Sequence, residues 1–389
     1  MKSYDILVVG AGILGISHAL HCLRAGLEVA LIERNDYPQD ATVRNFGQVV
    51  PSGFGSEWQQ LGRESLRSYK AIQQEMDITV KAEGSLYIAS DNEELQLLEE
   101  LAAINQMNDY PSQLLSRQEC LARYDGLQPS YTKGALFFPD EITVDPRQLA
   151  RRLIHYCINK YSLHYYPNTT ICEIIRSNGR VVATSNKQEQ YSSQKLFLCS
   201  GTDYQQLFPE VFAQSDLRLV KLQMLETATQ PRLKIRGSVL TGWTIRRYES
   251  FQECPSFATV KAAENPGAYH RQKGIHILIK QSNSGSIILG DSHEYTDIQR
   301  YTALGFDTDN IINKFILSQA QRIFDLNDWR IDRTWLGYYC QCKEADIFNH
   351  TIDEHIHIIT GIGGKGMTGA LGYAKANINK IFSLNINAV

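Results

Sequence analysis

The 389-residue chain lacks an excess of charge of either sign: 39 Lys and Arg stand against 42 Asp and Glu, a formal net charge of −3. That balance excludes the basic footprint of a nucleic-acid binder and the polybasic arm of a membrane-surface protein. Long hydrophobic runs are also missing. No stretch reaches the roughly 18 uninterrupted apolar residues of a spanning helix. The eight cysteines (Cys22, Cys120, Cys157, Cys172, Cys199, Cys254, Cys340 and Cys342) form no CxxC pair and no Cys/His zinc spacing, so neither a metal nor a disulfide framework is expected. They read as free thiols of a reducing compartment, which predicts a cytoplasmic protein. The apolar stretch from Ile6 to Ile16 imitates a secretory segment, but Asp5 precedes it, glycines interrupt it and no small-residue cleavage site follows. Proline is scarce too, at 11 residues against 27 glycines, and the glycines gather near the two ends of the chain.

At the N-terminal end a β-rich run, Ile6 to Val9, meets a glycine-rich turn. A helical pattern follows to Arg24, Gly26 stops it, and a second apolar run spans Val29 to Ile32. This is a strand–helix–strand unit. Gly10 permits the tight turn, Gly12 lets the backbone approach a pyrophosphate, and Gly15 lets helix and strand pack closely. Ile13 and Leu14 open the helix whose N-terminus favours phosphate charge. Glu33, followed by Arg34, ends the second strand and is placed to accept hydrogen bonds from a ribose hydroxyl. A second glycine-rich strand-to-helix turn, Gly361 to Thr368, lies at the far end of the chain. A helix N-terminus there suits the negative charge of a reduced flavin ring, which favours FAD over NAD. An NAD-dependent dehydrogenase is the competing reading.

Between these ends, residues 40–56 read as a loop, and 57–76, 92–107 and 307–325 as helices. Ser116 and Glu119 form a capping box, and Pro146 opens a helix to about Lys160. Short β-rich runs span Thr170 to Arg176, Val181 to Thr184, Lys195 to Cys199, Leu219 to Thr229, Ser238 to Leu240, Ile275 to Lys280 and Ser286 to Leu289. Asn283 to Gly285 marks a hairpin. His355 to Thr360 is a strand, and Met367 to Phe382 a helix.

Taken with Arg44-Asn45-Phe46-Gly47-Gln48-Val49-Val50-Pro51, Asp145-Pro146, Cys199-Ser200-Gly201-Thr202, Trp335-Leu336-Gly337 and Gly361 to Thr368, the chain resembles the D-amino-acid oxidase (DAO) superfamily of FAD enzymes. That group includes glycine oxidase, sarcosine oxidase and D-amino-acid dehydrogenase. The resemblance implies an α/β fold: a Rossmann-like FAD-binding domain of the GR2 type, with a second α+β substrate domain on a mainly antiparallel sheet. It predicts a discontinuous FAD domain at 1–78, 140–216 and 327–389, and a substrate domain at 79–139 and 217–326. It also implies FAD contacts from Arg44, Asn45, Phe46, Gly47, Gln48, Ser200, Gly201, Gly337, Gly364, Lys365, Gly366, Met367 and Thr368. The family position for covalent attachment falls near Gly337 and not on Cys340 or Cys342, so FAD is expected to be non-covalent.

The implied reaction oxidises the C–N bond of a small amine by hydride transfer to flavin N5, giving an imine that hydrolyses. Oxygen or another acceptor takes the electrons. The sequence leaves the oligomeric state open. Gly274-Ile275-His276-Ile277 and Gly290-Asp291-Ser292-His293-Glu294-Tyr295 further resemble a bacterial branch linked with phosphonate breakdown. Candidate substrates are therefore an amino acid, an N-methyl amino acid or a 2-aminoethylphosphonate-like compound. Lys365, His293 and His276 are the catalytic candidates, and Arg247, Tyr248 and Tyr269 the substrate-binding ones. The arginine that follows Trp-x-Gly in glycine-oxidase-like relatives is absent, and Tyr338-Tyr339-Cys340 stands there. An FAD-dependent hydroxy-acid or glycerol-3-phosphate-type dehydrogenase, and a non-catalytic flavin-binding protein, are the alternatives.

Overall fold

Two sheets organise the chain, in a computed structural model that describes residues 1–383. In the first, the order is Phe348–Ile352, Ile356–Thr360, Gln190–Leu198, Lys2–Val9, Val29–Ile32 and His164–Tyr166. The pairings from Ile356–Thr360 through to His164–Tyr166 are all parallel. A parallel sheet is covered on both faces, which is why Ile6, Leu7, Val8 and all of Val29–Ile32 are apolar and buried instead of alternating. Arg180–Ser185 and Ile171–Ser177 form an antiparallel flap on Gln190–Leu198.

The helix Ile13–Arg24 is buried from Ile13 to Leu23. It packs with Ser56–Glu75, Pro146–Tyr161 and Gly366–Phe382 around one core on a face of this sheet. Close approach requires two of the N-terminal glycines. A Cβ on Gly10, whose φ is +95°, would stand 2.3 Å from the Cys199 carbonyl oxygen, and one on Gly15 would stand 1.8 Å from the Gly10 carbonyl oxygen.

The second sheet runs Glu294–Asp297, Leu217–Thr229, Ser286–Gly290, Leu278–Gln281, Ser238–Leu240, Ser85–Ala89, Gly134–Phe138 and Gln113–Ser116. Its pairs are antiparallel except Ser238–Leu240 with Ser85–Ala89. Ile331–Cys342 adds to Leu217–Thr229 from Thr227↔Ile331 to Leu217↔Cys342. This corrects the expected boundary at 327, because residues 331–342 continue the second sheet. The chain rejoins the first sheet only at Phe348–Ile352. A two-residue pairing, Gln48–Val49 with Ile142–Thr143, ties the loop after the first strand–helix–strand unit to the connection leading back from the second sheet. No helix among the described residues is long and apolar enough to cross a membrane.

Candidate active site

One cavity of about 650 Å³ runs between the two sheets. At one end are Gly10, Gly12, Glu33 and Ser200, and at the other Arg247, His276, Asp291, His293 and Tyr339. Gly361 to Thr368 form the wall between them.

The first end is set by backbone geometry. Gly12 caps the helix Ile13–Arg24 with extended backbone, and that helix has no acidic residue in its first turn. The Thr42 hydroxyl accepts the Ile13 N–H at 2.9 Å. Glu33 is buried, and its carboxylate accepts the Ala11 N–H at 2.9 Å and the Asn35 N–H at 3.0 Å. Arg34 pairs with Asp40 at 2.6 Å and Asp203 at 3.3 Å on the rim. The Ser200 hydroxyl is buried on the cavity wall without a hydrogen-bond partner. The neighbouring Gly201 carbonyl accepts the Thr360 hydroxyl and the Cys340 thiol, both at 2.8 Å.

The loop between the sheets is held rigidly. Asn45 donates to the Ala41 and Thr42 carbonyls and accepts the Gly47 N–H at 2.8 Å, closing a tight turn. Gly47 has a φ of +73°, and a Cβ there would meet the Val144 carbonyl oxygen at 2.4 Å. Arg44 donates to the Gln39 and Leu336 carbonyls, which fixes the loop against the strand carrying Gly337. Gln48 donates to the Ser238 hydroxyl of the second sheet. Thr368 accepts the Val50 N–H at 3.1 Å, coupling the loop to the C-terminal helix. Met367 and Gly366 open that helix, which likewise has no acidic residue in its first turn. At Gly364 no atom lies within 4 Å of where a Cβ would stand.

The other end is built by the hairpin around Asn283 to Gly285. Leu278 pairs with Gly290, and His276 and Asp291 exchange backbone hydrogen bonds at 3.2 and 2.9 Å. His276 Nε2 then stands 3.0 Å from Asp291 Oδ1, and His293 Nε2 3.6 Å from Asp291 Oδ2. All three side chains are buried. Burial pushes His276 down and His293 down to about 3. Burial alone would raise Asp291, but His293, His276 and Arg247 outweigh it and hold the carboxyl at about 2. Arg247 donates to the Gly274 carbonyl and the Tyr295 hydroxyl, both at 3.0 Å. Tyr248 lies edge-on to His276, and Tyr339 edge-on to His293.

The DAO family model, described as FAD dependent oxidoreductase, matches residues 5–378. The chain belongs to this family. Its fold is similar to that of glycine oxidase from Geobacillus kaustophilus, with a TM-score of 0.78 at 15% identity over 100% of this chain and 97% of that one. An L-α-glycerophosphate oxidase from Mycoplasma pneumoniae with FAD bound gives a TM-score of 0.76 at 16% identity, over 99% and 96%. A glycerol 3-phosphate dehydrogenase from Caloramator mitchellensis is 21% identical over 82% of this chain. The chain spans 61% of that relative's length.

In this DAO-family chain, the partnerless Ser200 hydroxyl, the side-chain-free backbone of Gly12 on the cavity wall, the open space at Gly364, and two helix N-termini without acidic residues fit a cofactor with a pyrophosphate and an electron-rich ring. Every residue expected on the FAD side lines this cavity except Gly15, which packs beneath Gly10. Tyr269 is a correction. It opens a short helix whose ring packs against Phe315 in the core of the second sheet, away from the cavity. Lys365 does line the cavity, but its ammonium pairs with Glu249 and Asp346. Asp291 and Tyr339 went unassigned at the sequence level. The signal for Asp291 was its place two residues before His293, opposite His276 in the hairpin.

Proposed function

We propose that this enzyme oxidises the C–N bond of a small amine that also carries an anionic group, using non-covalently held FAD. The observation that carries the reading is the composition of the cavity's far end: the Arg247 guanidinium beside the aromatic walls Tyr248 and Tyr339. A guanidinium suits an oxyanion, and aromatic walls suit the amine-bearing carbon. FAD, when bound, supplies the acceptor for a hydride from the carbon next to nitrogen. The chain's own residues do the rest. Gly12, Ser200 and the helix N-termini hold the cofactor. Arg247 and the two tyrosines fix the substrate's orientation and exclude water. Burial of Cys340, with its thiol turned to the Gly201 carbonyl, supports a non-covalent cofactor.

The test is anaerobic mixing of the purified protein with a panel of amino acids, N-methyl amino acids, aminophosphonates, hydroxy acids and glycerol 3-phosphate. The reading expects visible flavin absorbance to bleach with an amine. Bleaching by hydroxy acids or glycerol 3-phosphate alone would overturn it in favour of the dehydrogenase alternative, and a protein that none of the panel reduces would support a non-catalytic flavoprotein.

A further inference from the structure

The spacing of histidines and carboxylates in the sequence carries no metal signature, yet the hairpin assembles one. The ligand atoms of His276, Asp291 and His293 lie within 4.8 Å of one another. Three details decide what this cluster is. The Gly274 carbonyl is an acceptor only, so the 3.0 Å contact from His293 Nδ1 places the proton on Nδ1 and leaves a lone pair on Nε2. That lone pair faces Asp291 Oδ2 at 3.6 Å with no hydrogen between them. Asp291 Oδ1 is buried, lies 3.0 Å from His276 Nε2, and has no other polar side chain or backbone group bound to it. His276 Nδ1 is in turn engaged by the Thr244 hydroxyl at 3.1 Å. The His293 Nε2 lone pair and the Asp291 carboxylate thus face one point, and His276 Nε2 joins them as an acceptor when its Nδ1 donates to Thr244, so both imidazoles are braced from behind in the way metal-bound histidines are.

We infer that His276, Asp291 and His293 form a binding site for a divalent first-row transition-metal ion. Two imidazoles and one carboxylate on one side of an ion leave its remaining positions open, here toward the cavity. Bonds of about 2.0–2.2 Å separate adjacent ligand atoms by roughly 3–3.5 Å, so the 3.0 Å contact of His276 already has that spacing and the 3.6 Å contact of His293 needs only a small closure. Arg247 shares the Gly274 carbonyl with His293, so its guanidinium stands beside the cluster, behind the His293 ring. The ion and Arg247 together exceed the charge of Asp291, and the substrate's oxyanion group supplies the balance. That role rests on the function proposed above. The binding of metal does not.

The experiment strips the FAD-loaded protein with a chelator, adds Zn2+, removes excess by gel filtration, and measures zinc and FAD per chain. The inference expects about one zinc ion per chain in the wild type. Asp291→Asn and His293→Gln should each weaken zinc binding by about tenfold or more while keeping FAD content. Wild-type protein that leaves the column without zinc overturns the site, as does equal zinc retention by the Asp291→Asn/His293→Gln double variant. A variant that also loses FAD is misfolded, and His276→Gln then replaces it in the comparison. Flavin reduction by an amine without zinc binding refutes the site and spares the function. Zinc binding without reduction by any amine does the opposite.

Discussion

At the scale of single residues, the three N-terminal glycines answer to different forces. Gly10 and Gly15 are required by the fold, since a Cβ on either would overlap backbone oxygen at 2.3 and 1.8 Å. Gly12 has ordinary extended φ and ψ, and a Cβ there would meet only the Thr42 hydroxyl at 3.2 Å. Its constraint comes from the cavity. Gly12→Val should therefore fold, with an unchanged far-ultraviolet spectrum, and lose FAD retention by about tenfold or more, each tenfold being about 1.4 kcal/mol. Visible absorbance per protein after gel filtration measures it. Full FAD content in that variant would refute the placement of the pyrophosphate. The same scale explains the misplaced expectation. Tyr269 was assigned by residue type, and type is silent about partners; Lys365 was assigned by its place in the Gly361–Thr368 turn and does line the cavity. Glu249 and Asp346 claim the lysine, and Phe315 claims the tyrosine ring.

At the scale of elements, what was legible followed from local signals. Helix Asn92–Met107 is where its Glu/Leu pattern puts it, the capping box opens Arg117–Arg123, and Pro146 opens Pro146–Tyr161. Strands Ser85–Ala89 and Gly134–Phe138 escaped notice because both are buried throughout, and a short apolar run has no alternation to betray it. The hairpin was legible, but not its consequence. A turn centred on Ser284 pairs 278 with 290 and would set 276 against 292. The observed backbone bonds instead join His276 to Asp291, a one-residue slip that brings the carboxylate between the imidazoles.

Long-range joins between elements were invisible for the same reason. The C-terminal helix is fastened to the loop after the first unit by the Thr368 hydroxyl, which accepts from Val50 N–H. Thr368→Val leaves that buried N–H without a partner and should cost about 1–3 kcal/mol, read as a lower urea midpoint at unchanged slope, with Thr368→Ser restoring most of it. An unaltered midpoint would show that the join contributes nothing.

At the scale of the whole molecule, the seam between the sheets buries two ionisable groups that respond to pH in opposite ways. Glu141 binds the loop side through the Ser52 N–H at 2.8 Å and the second-sheet side through the Ser85 and Tyr110 hydroxyls. Burial raises its carboxyl from 4.5 to about 7, against those hydrogen bonds. Lys280 reaches from the second sheet to the Val144 carbonyl at 2.9 Å, and burial lowers it from 10.5 to about 7.

The signs follow from proton counting. Between 4.5 and about 7 the folded state holds the Glu141 proton and the unfolded state does not, so this group's contribution falls as pH rises through that window. Between about 7 and 10.5 the unfolded state holds the Lys280 proton and the folded state does not, so this contribution grows with pH. The windows meet near neutrality, where both groups disfavour the folded state, by on the order of a few kcal/mol each. Glu141→Gln should therefore gain stability over wild type as pH rises to about 7 and hold that gain above it. Lys280→Met should exceed wild type below about 7, with an advantage that shrinks toward 10.5. Thermal midpoints of the three proteins across that range measure both differences. Parallel profiles for wild type and either variant would show that the group in question titrates in the seam as it does in water.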